Sequence, residues 1–189
     1  MDSKFIIKKL DIYSYRAEIP KPVVTSFGSM PSRGTVLIYI EDADGAFGWG
    51  EIWSNFPTIT TEYRAQLAAW ILPSRLIGSE IREAKFFTDE LKKELYVLRV
   101  QSGESGPIDA IVAVTNQALW DPRARKENLP LRKLLNKKAP DMVPAYGSGL
   151  NPSDCIEVTD RARNEGYRSF KLKIGFGAAG RQKPDPDIS

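Results

Sequence analysis

Hydrophobic and polar residues alternate along the first fifty positions, which is the pattern of strands that are buried on one face. Residues 5–18 alternate loosely and predict a first strand, and residues 35–40 predict a second. A turn at residues 42–45 leads into residues 46–53, which return as a third strand and complete an antiparallel hairpin. The stretch from Pro20 to Gly34 is rich in Pro, Ser and Gly, so it predicts a loop between the first two strands.

The chain after position 60 predicts helices, and in the stretch from residue 108 to residue 119 apolar residues recur at the spacing of one helix face. Helices are predicted over about residues 60–72 and 81–100, and a third begins near Pro107. Pro122 is expected to kink or end that third helix, because proline lacks the N–H that a helix needs. A short helix over residues 131–135 closes a region in which strands precede helices, the order typical of an α+β domain.

The pattern changes near residue 140. Residues 142–146 predict a strand that ends in Gly147. The helix that follows is expected to start with Asn151 as its N-cap and to stop at Gly166. Residues 168–174 predict the next strand, so these elements together form a β-α-β unit, the repeating element of a parallel sheet or barrel.

These patterns divide the chain into three parts. An α+β domain with a three-stranded antiparallel sheet covers residues 1–140, a β-α-β unit covers residues 141–177, and a tail covers residues 178–189. The tail has two prolines and no apolar period, so it does not continue the preceding pattern. A frameshift, a truncated reading frame or an engineered end is our hypothesis for this change of character.

The composition excludes several functional classes. The 189 residues contain no histidine and one cysteine, and they carry a net charge of +3. A histidine-based triad, a histidine zinc site and an internal disulfide are therefore excluded. The basic residues are scattered, no apolar run is long enough to span a membrane, and the start lacks the apolar core of a secretory signal. We therefore expect a cytoplasmic protein that binds neither nucleic acid nor a membrane.

The strongest candidates for chemistry are Lys171 and Lys173, which lie two positions apart in a predicted strand. Side chains alternate between the two faces of a strand, so both amines point to the same side. If that side faces an enclosed site, desolvation and like charge favour the neutral amine, and one lysine could act as a base near neutral pH. If it faces solvent, the pair belongs to an ordinary half-buried strand. Spacing alone leaves both interpretations open.

Five short motifs follow one another along the chain: Gly48-Trp49-Gly50-Glu51, Ala118-Leu119-Trp120-Asp121, the run LPLRKLL at residues 129–135, Val143-Pro144-Ala145-Tyr146, and the run KLKIGFG at residues 171–177. Together they resemble the enolase superfamily, specifically its mandelate racemase and muconate lactonizing enzyme branch. The resemblance implies an α+β capping domain followed by the first β-α-β unit of a truncated (β/α) barrel.

The resemblance also implies a function. Enzymes of this branch are Mg²⁺-dependent racemases, dehydratases and cycloisomerases that remove the proton alpha to the carboxylate of a hydroxy or sugar acid. By the same resemblance Lys173 is the acid/base. Lys171 is then the neighbour that lowers the pKa of Lys173 and contacts the substrate carboxylate.

Two capping-domain loops close over the substrate in this branch. By position they match residues 20–34 and 53–56. The residues expected to contact substrate are Ser26, Phe27, Arg33, Trp53 and Phe56. For Trp53 and Phe56, packing between the cap and the barrel is the alternative.

The resemblance assigns no metal ligand in this chain, because the family's three carboxylate ligands and its second acid/base belong to later barrel strands. We therefore expect this chain alone to bind no Mg²⁺ and to be inactive. The alternative to an enzyme is a non-catalytic fragment or an oligomerising module, since two barrel strands leave open edges that favour association. A homo-oligomer is expected on the same grounds.

Overall fold

The computed structural model describes residues 5–25, 28–150 and 154–172. The chain folds into two compact units. The first unit comprises residues 1–19 and 32–139, and the second comprises residues 20–31 and 140–189.

Four strands form the larger sheet: β1 (Phe5–Thr25), β2 (Gly28–Asp42), β3 (Phe47–Trp53) and β4 (Glu80–Ile81). Their order across the sheet is β3-β2-β1-β4. The predicted hairpin is confirmed, because β2 and β3 pair antiparallel from Thr35 opposite Trp53 to Glu41 opposite Phe47.

Two features of this sheet differ from the prediction. The stretch from Pro20 to Gly34 is not a loop, since most of it extends β1 and β2. Proline is compatible with a strand wherever no ladder hydrogen bond is needed from its nitrogen, so composition alone was a poor guide here. The sheet also has a fourth strand, in which Glu80 and Ile81 pair with the start of β1.

Six helices follow in the first unit: α1 (Thr60–Ile71), α2 (Pro73–Leu76), α3 (Ala84–Glu94), α4 (Tyr96–Gln101), α5 (Ser105–Lys126) and α6 (Leu131–Leu135). The predicted helix over residues 81–100 is two helices, α3 and α4. The prediction that Pro122 ends α5 is wrong, because the helix continues to Lys126. The Pro122 ring instead packs against Gly48 of β3.

The core of the first unit lies between the helices and one face of the sheet. On β2 the even-numbered residues point into it, and Val36, Ile38 and Ile40 are fully buried. From the helices come Ile71, Leu72, Leu76, Leu91, Leu95, Ile108, Ile111 and Val114. The strands-then-helices order and this two-layer packing confirm the predicted α+β class.

Strand β3 and helix α5 are in direct backbone contact. A Cβ atom on Gly48 would lie 2.3 Å from the Ala118 carbonyl oxygen, and one on Gly50 would lie 2.3 Å from the Val114 carbonyl oxygen. Any residue larger than glycine would therefore push α5 away from the sheet. Two of the recognised motifs, Gly48 to Glu51 and Ala118 to Asp121, are thus the two sides of one packing contact.

Side chains of α5 also cover the free edge of β3. The Trp49 N–H donates a hydrogen bond to Asp121 Oδ2 at 3.0 Å, and the Glu51 N–H donates one to Gln117 Oε1 at 3.0 Å. Exposed edge N–H groups are what another strand would pair with. This part of the edge is therefore closed to strand addition.

The second unit contains β5 (Gly147–Leu150), α7 (Cys155–Asn164) and β6 (Phe170–Leu172). β5 and β6 pair in parallel, which confirms the predicted β-α-β unit. Helix α7 ends as predicted just before Gly166, which has a φ of +102° that favours glycine. The predicted N-cap, Asn151, lies outside the described residues.

The strand predicted over residues 142–146 is wrong, since β5 begins at Gly147. Pro144 cannot donate a ladder hydrogen bond, and its neighbours Met142 and Val143 are exposed rather than packed. Within the described ranges, no helix combines the length and the apolar composition that crossing a bilayer requires.

Candidate functional site

The predicted site residues fall into three groups. Lys173, Ser26 and Phe27 lie outside the described residues. Lys171 lies in the second unit, at the middle of β6. The remaining three, Arg33, Trp53 and Phe56, lie in the first unit.

Along β6, Phe170 is half-buried whereas Lys171 and Leu172 are both exposed, so the alternation of burial that the sequence predicts does not extend to Leu172. Phe170 is half-buried and its ring contacts Gly147 of β5, whose Cβ would lie 3.0 Å from the ring. Lys171 occupies the position between Phe170 and Leu172, and it is exposed. The enclosure that the base hypothesis requires is thus not formed around Lys171 by the described residues.

Trp53 and Phe56 are carried by the segment of residues 53–57, which joins β3 to α1. The two aromatic side chains are 57% and 40% exposed, so they are available for contact. The segment itself is firmly held. Thr61 Oγ1 donates to the Ser54 carbonyl oxygen at 3.0 Å, and the Arg64 guanidinium donates to the Trp53 carbonyl oxygen.

Arg33 lies next to Gly34, and Gly34 is hydrogen-bonded to this segment. The Gly34 N–H donates to Asn55 Oδ1 at 3.0 Å, and a Cβ on Gly34 would lie 2.1 Å from Thr61 Oγ1. Glycine is therefore needed for β2 to approach the segment so closely. The backbone next to Arg33 is thus hydrogen-bonded to the segment that carries Trp53 and Phe56, and the side chains of all three residues are exposed.

Arg16 is a residue of this region that the sequence did not indicate. From β1 its guanidinium donates to both carboxylate oxygens of Glu62 on α1, at 2.9 and 2.7 Å. It also donates to Ser32 Oγ at 3.3 Å and to the Thr58 carbonyl oxygen. The hydrogen bond from Arg16 lowers the pKa of Glu62 below its ordinary value of 4.5. Arg16 thus ties β1, β2, α1 and the chain just after residues 53–57 together.

One polar atom of the segment has no internal partner. Ser54 is fully buried, and its Oγ has no hydrogen-bond partner among the described residues. Burying an unpaired hydroxyl is unfavourable, since it loses its bonds to water. Ser54 therefore holds the segment through its carbonyl oxygen, which accepts the hydrogen bond from Thr61, and not through its hydroxyl.

The described residues do not fit a Mg²⁺ site. A protein site for this ion needs several oxygen ligands converging on one point. Nowhere in residues 5–25, 28–150 and 154–172 do three His, Cys, Asp or Glu side chains come together. We therefore assign no step of the chemistry to a metal held by these residues.

Comparison with known proteins identifies the family. The sequence model of the mandelate racemase / muconate lactonizing enzyme N-terminal domain matches residues 9–136. A mandelate racemase/muconate lactonizing enzyme from Bordetella bronchiseptica RB50, whose crystal structure is known, is 34% identical with a TM-score of 0.79. That alignment covers 94% of this chain and 46% of the Bordetella chain.

A further relative is similar in sequence, and a further solved structure is similar in fold. D-galactarolactone cycloisomerase from Agrobacterium fabrum is 29% identical over 171 residues, which cover 82% of this chain and 43% of the relative. The crystal structure of an enolase from Bradyrhizobium complexed with magnesium and mandelic acid has a TM-score of 0.77 at 20% identity, and the match covers 94% of this chain and 48% of that one. The chain thus spans less than half the length of these relatives. Since the family model matches residues 9–136, the chain belongs to the mandelate racemase/muconate lactonizing enzyme family.

Proposed function

We propose that this chain is the N-terminal part of an enzyme that removes the proton alpha to the carboxylate of a hydroxy or sugar acid. The complete enzyme would be a racemase, a dehydratase or a cycloisomerase. In this proposal residues 1–140 form the capping domain and residues 141–177 the first β-α-β unit of the barrel. The observation that carries the proposal is the family match over residues 9–136.

The proposed chemistry needs two kinds of help. The proton alpha to a carboxylate is very weakly acidic, so the enediolate that forms must be stabilised by positive charge, and the base must be largely neutral. We assign Lys173 as the base and Lys171 as the cation that contacts the substrate carboxylate. The strand conformation of Phe170–Leu172 supports this pairing, because side chains two positions apart share one face of a strand.

Mg²⁺ is the proposed cofactor of the complete enzyme. The Bradyrhizobium relative, whose structure contains magnesium and mandelic acid, supports this choice. The ion would supply positive charge to the developing enediolate. The described residues hold no ligand set for it.

The surface formed by Arg33, Trp53 and Phe56 is the proposed substrate-facing part of the cap. An exposed guanidinium suits a carboxylate, and exposed rings can cover the apolar carbons of the acid and exclude water. The hydrogen bonds from Gly34, Thr61 and Arg64 fix the backbone that carries these groups. A preorganised surface of this kind is what positioning a substrate requires.

A second candidate function is that of a non-catalytic, oligomerising chain. In the described part of the second unit, the buried hydrophobic residues are Met30 and Leu150. β5 and β6 form a sheet of only these two strands among the described residues. So small an apolar core favours association with other polypeptide over independent catalysis.

Whether this chain is inactive by itself is tested by measuring deuterium incorporation at the α-carbon of a panel of hydroxy and sugar acids with proton NMR. The 189-residue chain with Mg²⁺ is expected to give no exchange above the buffer background. Robust exchange by this chain would refute the proposal that it is inactive alone.

The enzyme proposal is tested with a chimera of residues 1–177 of this chain and the remaining sequence of the Bordetella relative. The folded chimera is expected to catalyse exchange on at least one acid, and Lys173→Ala is expected to reduce the rate more than about 100-fold. Lys137→Ala, which changes a lysine outside the proposed site, is the matched control. Exchange that survives Lys173→Ala would contradict the assigned base.

A further inference from the structure

Arg16 lies on β1 within the first unit, and all three nitrogens of its guanidinium group donate hydrogen bonds. Nε donates to Glu62 Oε1 at 3.2 Å, and Nη2 donates to both carboxylate oxygens of Glu62, at 2.9 and 2.7 Å. Nη1 donates to Ser32 Oγ at 3.3 Å, and Nη2 also donates to the Thr58 carbonyl oxygen. One side chain thus joins two distant places in the sequence, residue 32 and residues 58–62.

The two places that Arg16 joins lie next to the proposed substrate contacts. Ser32 directly precedes Arg33 on β2, and Thr58 directly follows the segment of residues 53–57, which carries the two exposed rings. Arg16 therefore sets the separation between the strand of Arg33 and the end of this segment.

The segment that carries the two rings is held near both of its ends. At its start, the carbonyl oxygens of Trp53 and Ser54 accept hydrogen bonds from side chains of α1. Just beyond its end, the carbonyl oxygen of Thr58 accepts a hydrogen bond from Arg16. Phe56 lies between these two anchors, so its order depends on both.

This arrangement needs a guanidinium group and cannot be built with an ammonium group. Arginine presents five N–H donors in a fixed planar fork, whereas lysine carries all its donors on one nitrogen. A lysine at position 16 could therefore not bind Glu62, Ser32 and Thr58 at once. The Arg16 side chain is 23% exposed and Ser32 is 4% exposed, so the hydrogen bond between them is largely shielded from water.

We propose that Arg16 is a positioning residue, which fixes the strand of Arg33 and the segment of Phe56 at one separation before substrate arrives. Ordering these groups only on binding would cost conformational entropy, and that cost would weaken substrate binding. The step from positioning to substrate affinity rests on the function proposed above. A contact that is made equally in the ground state and the transition state affects KM rather than kcat.

The positioning itself is tested on the 189-residue chain by ¹⁵N NMR relaxation, which does not depend on any activity. The backbone amides of Phe56 and Thr58 are expected to have order parameters of about 0.85 in the wild type, typical of rigid backbone. In Arg16→Ala they are expected to fall below about 0.6. Amides of α5, which Arg16 does not contact, should keep their wild-type values.

Arg75→Ala is the matched control for the loss of a paired arginine. Arg75 is 27% exposed, and its Nε lies 2.8 Å from Glu94 Oε1. Like Arg16, it also donates to a serine hydroxyl and to a backbone carbonyl oxygen, those of Ser74 and Ile71. It lies on α2, beyond the opposite end of α1 from Glu62, so Arg75→Ala should leave the order parameters of residues 56 and 58 unchanged.

The consequence for substrate is tested in the chimera described above, by steady-state kinetics at a temperature where all variants are folded. Arg16→Ala is expected to raise KM at least about tenfold and to change kcat by less than about threefold. Arg16→Lys should restore only part of the affinity, because one ammonium group replaces a fork of donors. Arg75→Ala should change neither constant.

Circular dichroism shows which variants are folded, and Arg16→Lys decides both tests if Arg16→Ala fails to fold. Unchanged order parameters at residues 56 and 58 would overturn the proposal. So would an unchanged KM in an active chimera, or an effect of Arg75→Ala equal to that of Arg16→Ala, which would reflect lost stability alone. A chimera that is inactive with Arg16 intact would instead refute the proposed function, and the relaxation data would still decide whether Arg16 positions the segment.

Discussion

In the first unit, residues that are 72 positions apart hold each other in place, whereas among the described residues of the second unit few side chains are buried. The Trp49 N–H meets the Asp121 carboxylate while Gly48 and Gly50 let α5 approach β3. In the second unit, β5 and β6 pair in parallel, and α7 has no fully buried residue. Both regions were recognised from motifs of similar length. In both units a motif therefore indicates the family, but only in the first unit does it also mark a tightly packed contact.

The largest expected difference between the units is in hydrogen exchange. Amides of β2, β3 and α5 should open only with global unfolding, because these elements surround the core. Amides of β5, α7 and β6 should exchange at least about 100-fold faster, since little apolar surface holds them closed. Exchange measured by NMR or mass spectrometry checks this. Equal protection of α7 and α5 would show that the second unit is as stable as the first.

Adding a methyl group at Gly50 should give the next largest effect. Gly50→Ala places a Cβ 2.3 Å from the Val114 carbonyl oxygen, so strand and helix must separate, at a cost of about 3 kcal/mol or more. Urea unfolding followed by circular dichroism measures this change. A Gly50→Ala protein of wild-type stability would contradict the close contact.

Two other glycines give the controls for that measurement. Gly106 lies in the first turn of α5, and a Cβ atom added to it would have nothing within 4 Å, so Gly106→Ala should be neutral or stabilising by up to about 1 kcal/mol. In the second unit, Gly147→Ala would meet the Phe170 ring at 3.0 Å. A side chain can move where a backbone cannot, so this substitution should cost less than about 1 kcal/mol.

The sequence predicted what is local or periodic. The hairpin of β2 and β3 followed from alternation and a turn, the end of α1 followed from Pro73, and α5 followed from apolar spacing. The recognised Gly48 to Glu51 motif indicated the family, but its physical role required the Ala118 carbonyl, which no local pattern reveals. The loop predicted from Pro20 to Gly34 was wrong because a composition typical of turns does not prevent a segment from adopting the extended conformation of β1 and β2.

Less of the candidate site than of the fold could be predicted from the sequence. Trp53, Phe56 and Arg33 were found by resemblance, and the structure holds the backbone next to Arg33 against the segment that carries the two rings without testing their role. Arg16 was missed because its partner Glu62 is 46 residues away and neither residue belongs to a motif. Such long-range polar contacts leave no periodic signal, so they appear only once the fold is known.

Arg16 offers the third test, now within the first unit. Arg16→Ala removes hydrogen bonds to Ser32 and Thr58 as well as the exposed pair with Glu62, and should cost about 1 to 2 kcal/mol. Chymotrypsin cleavage after Trp53, which is 57% exposed, should become faster, because the chain beside residues 53–57 loses an anchor. Arg82→Ala, which removes the exposed pair with Glu80, is the control and should change neither quantity measurably. Unchanged cleavage in Arg16→Ala would show that the other hydrogen bonds suffice.

Removing either of two hydroxyl groups should change the free energy of unfolding by a smaller amount, and the two changes should have opposite signs. Thr61→Val removes the hydrogen bond to the Ser54 carbonyl oxygen and should destabilise by about 1 kcal/mol. Ser54→Ala removes a buried hydroxyl without a partner among the described residues, and should be neutral or stabilising. Urea unfolding of both variants against wild type measures the difference. Destabilisation by Ser54→Ala would indicate that its hydroxyl does have a partner in solution, such as a water molecule.

The smallest predicted effect is the pH dependence that Glu62 contributes. The hydrogen bond from Arg16 lowers the pKa of Glu62, so folding favours the charged carboxylate. A depressed pKa in the folded state adds stability above the ordinary value of 4.5, and that stability is lost as the pH falls through the folded-state pKa. Glu62→Gln should therefore be less stable than wild type at pH 7, and the difference should shrink as the solution is acidified. Because Glu62 is half exposed, solvent screens the pair and the difference stays small. A difference in thermal midpoint that is the same at pH 7 and pH 3 would mean that the Arg16 contact does not depend on the charge of Glu62.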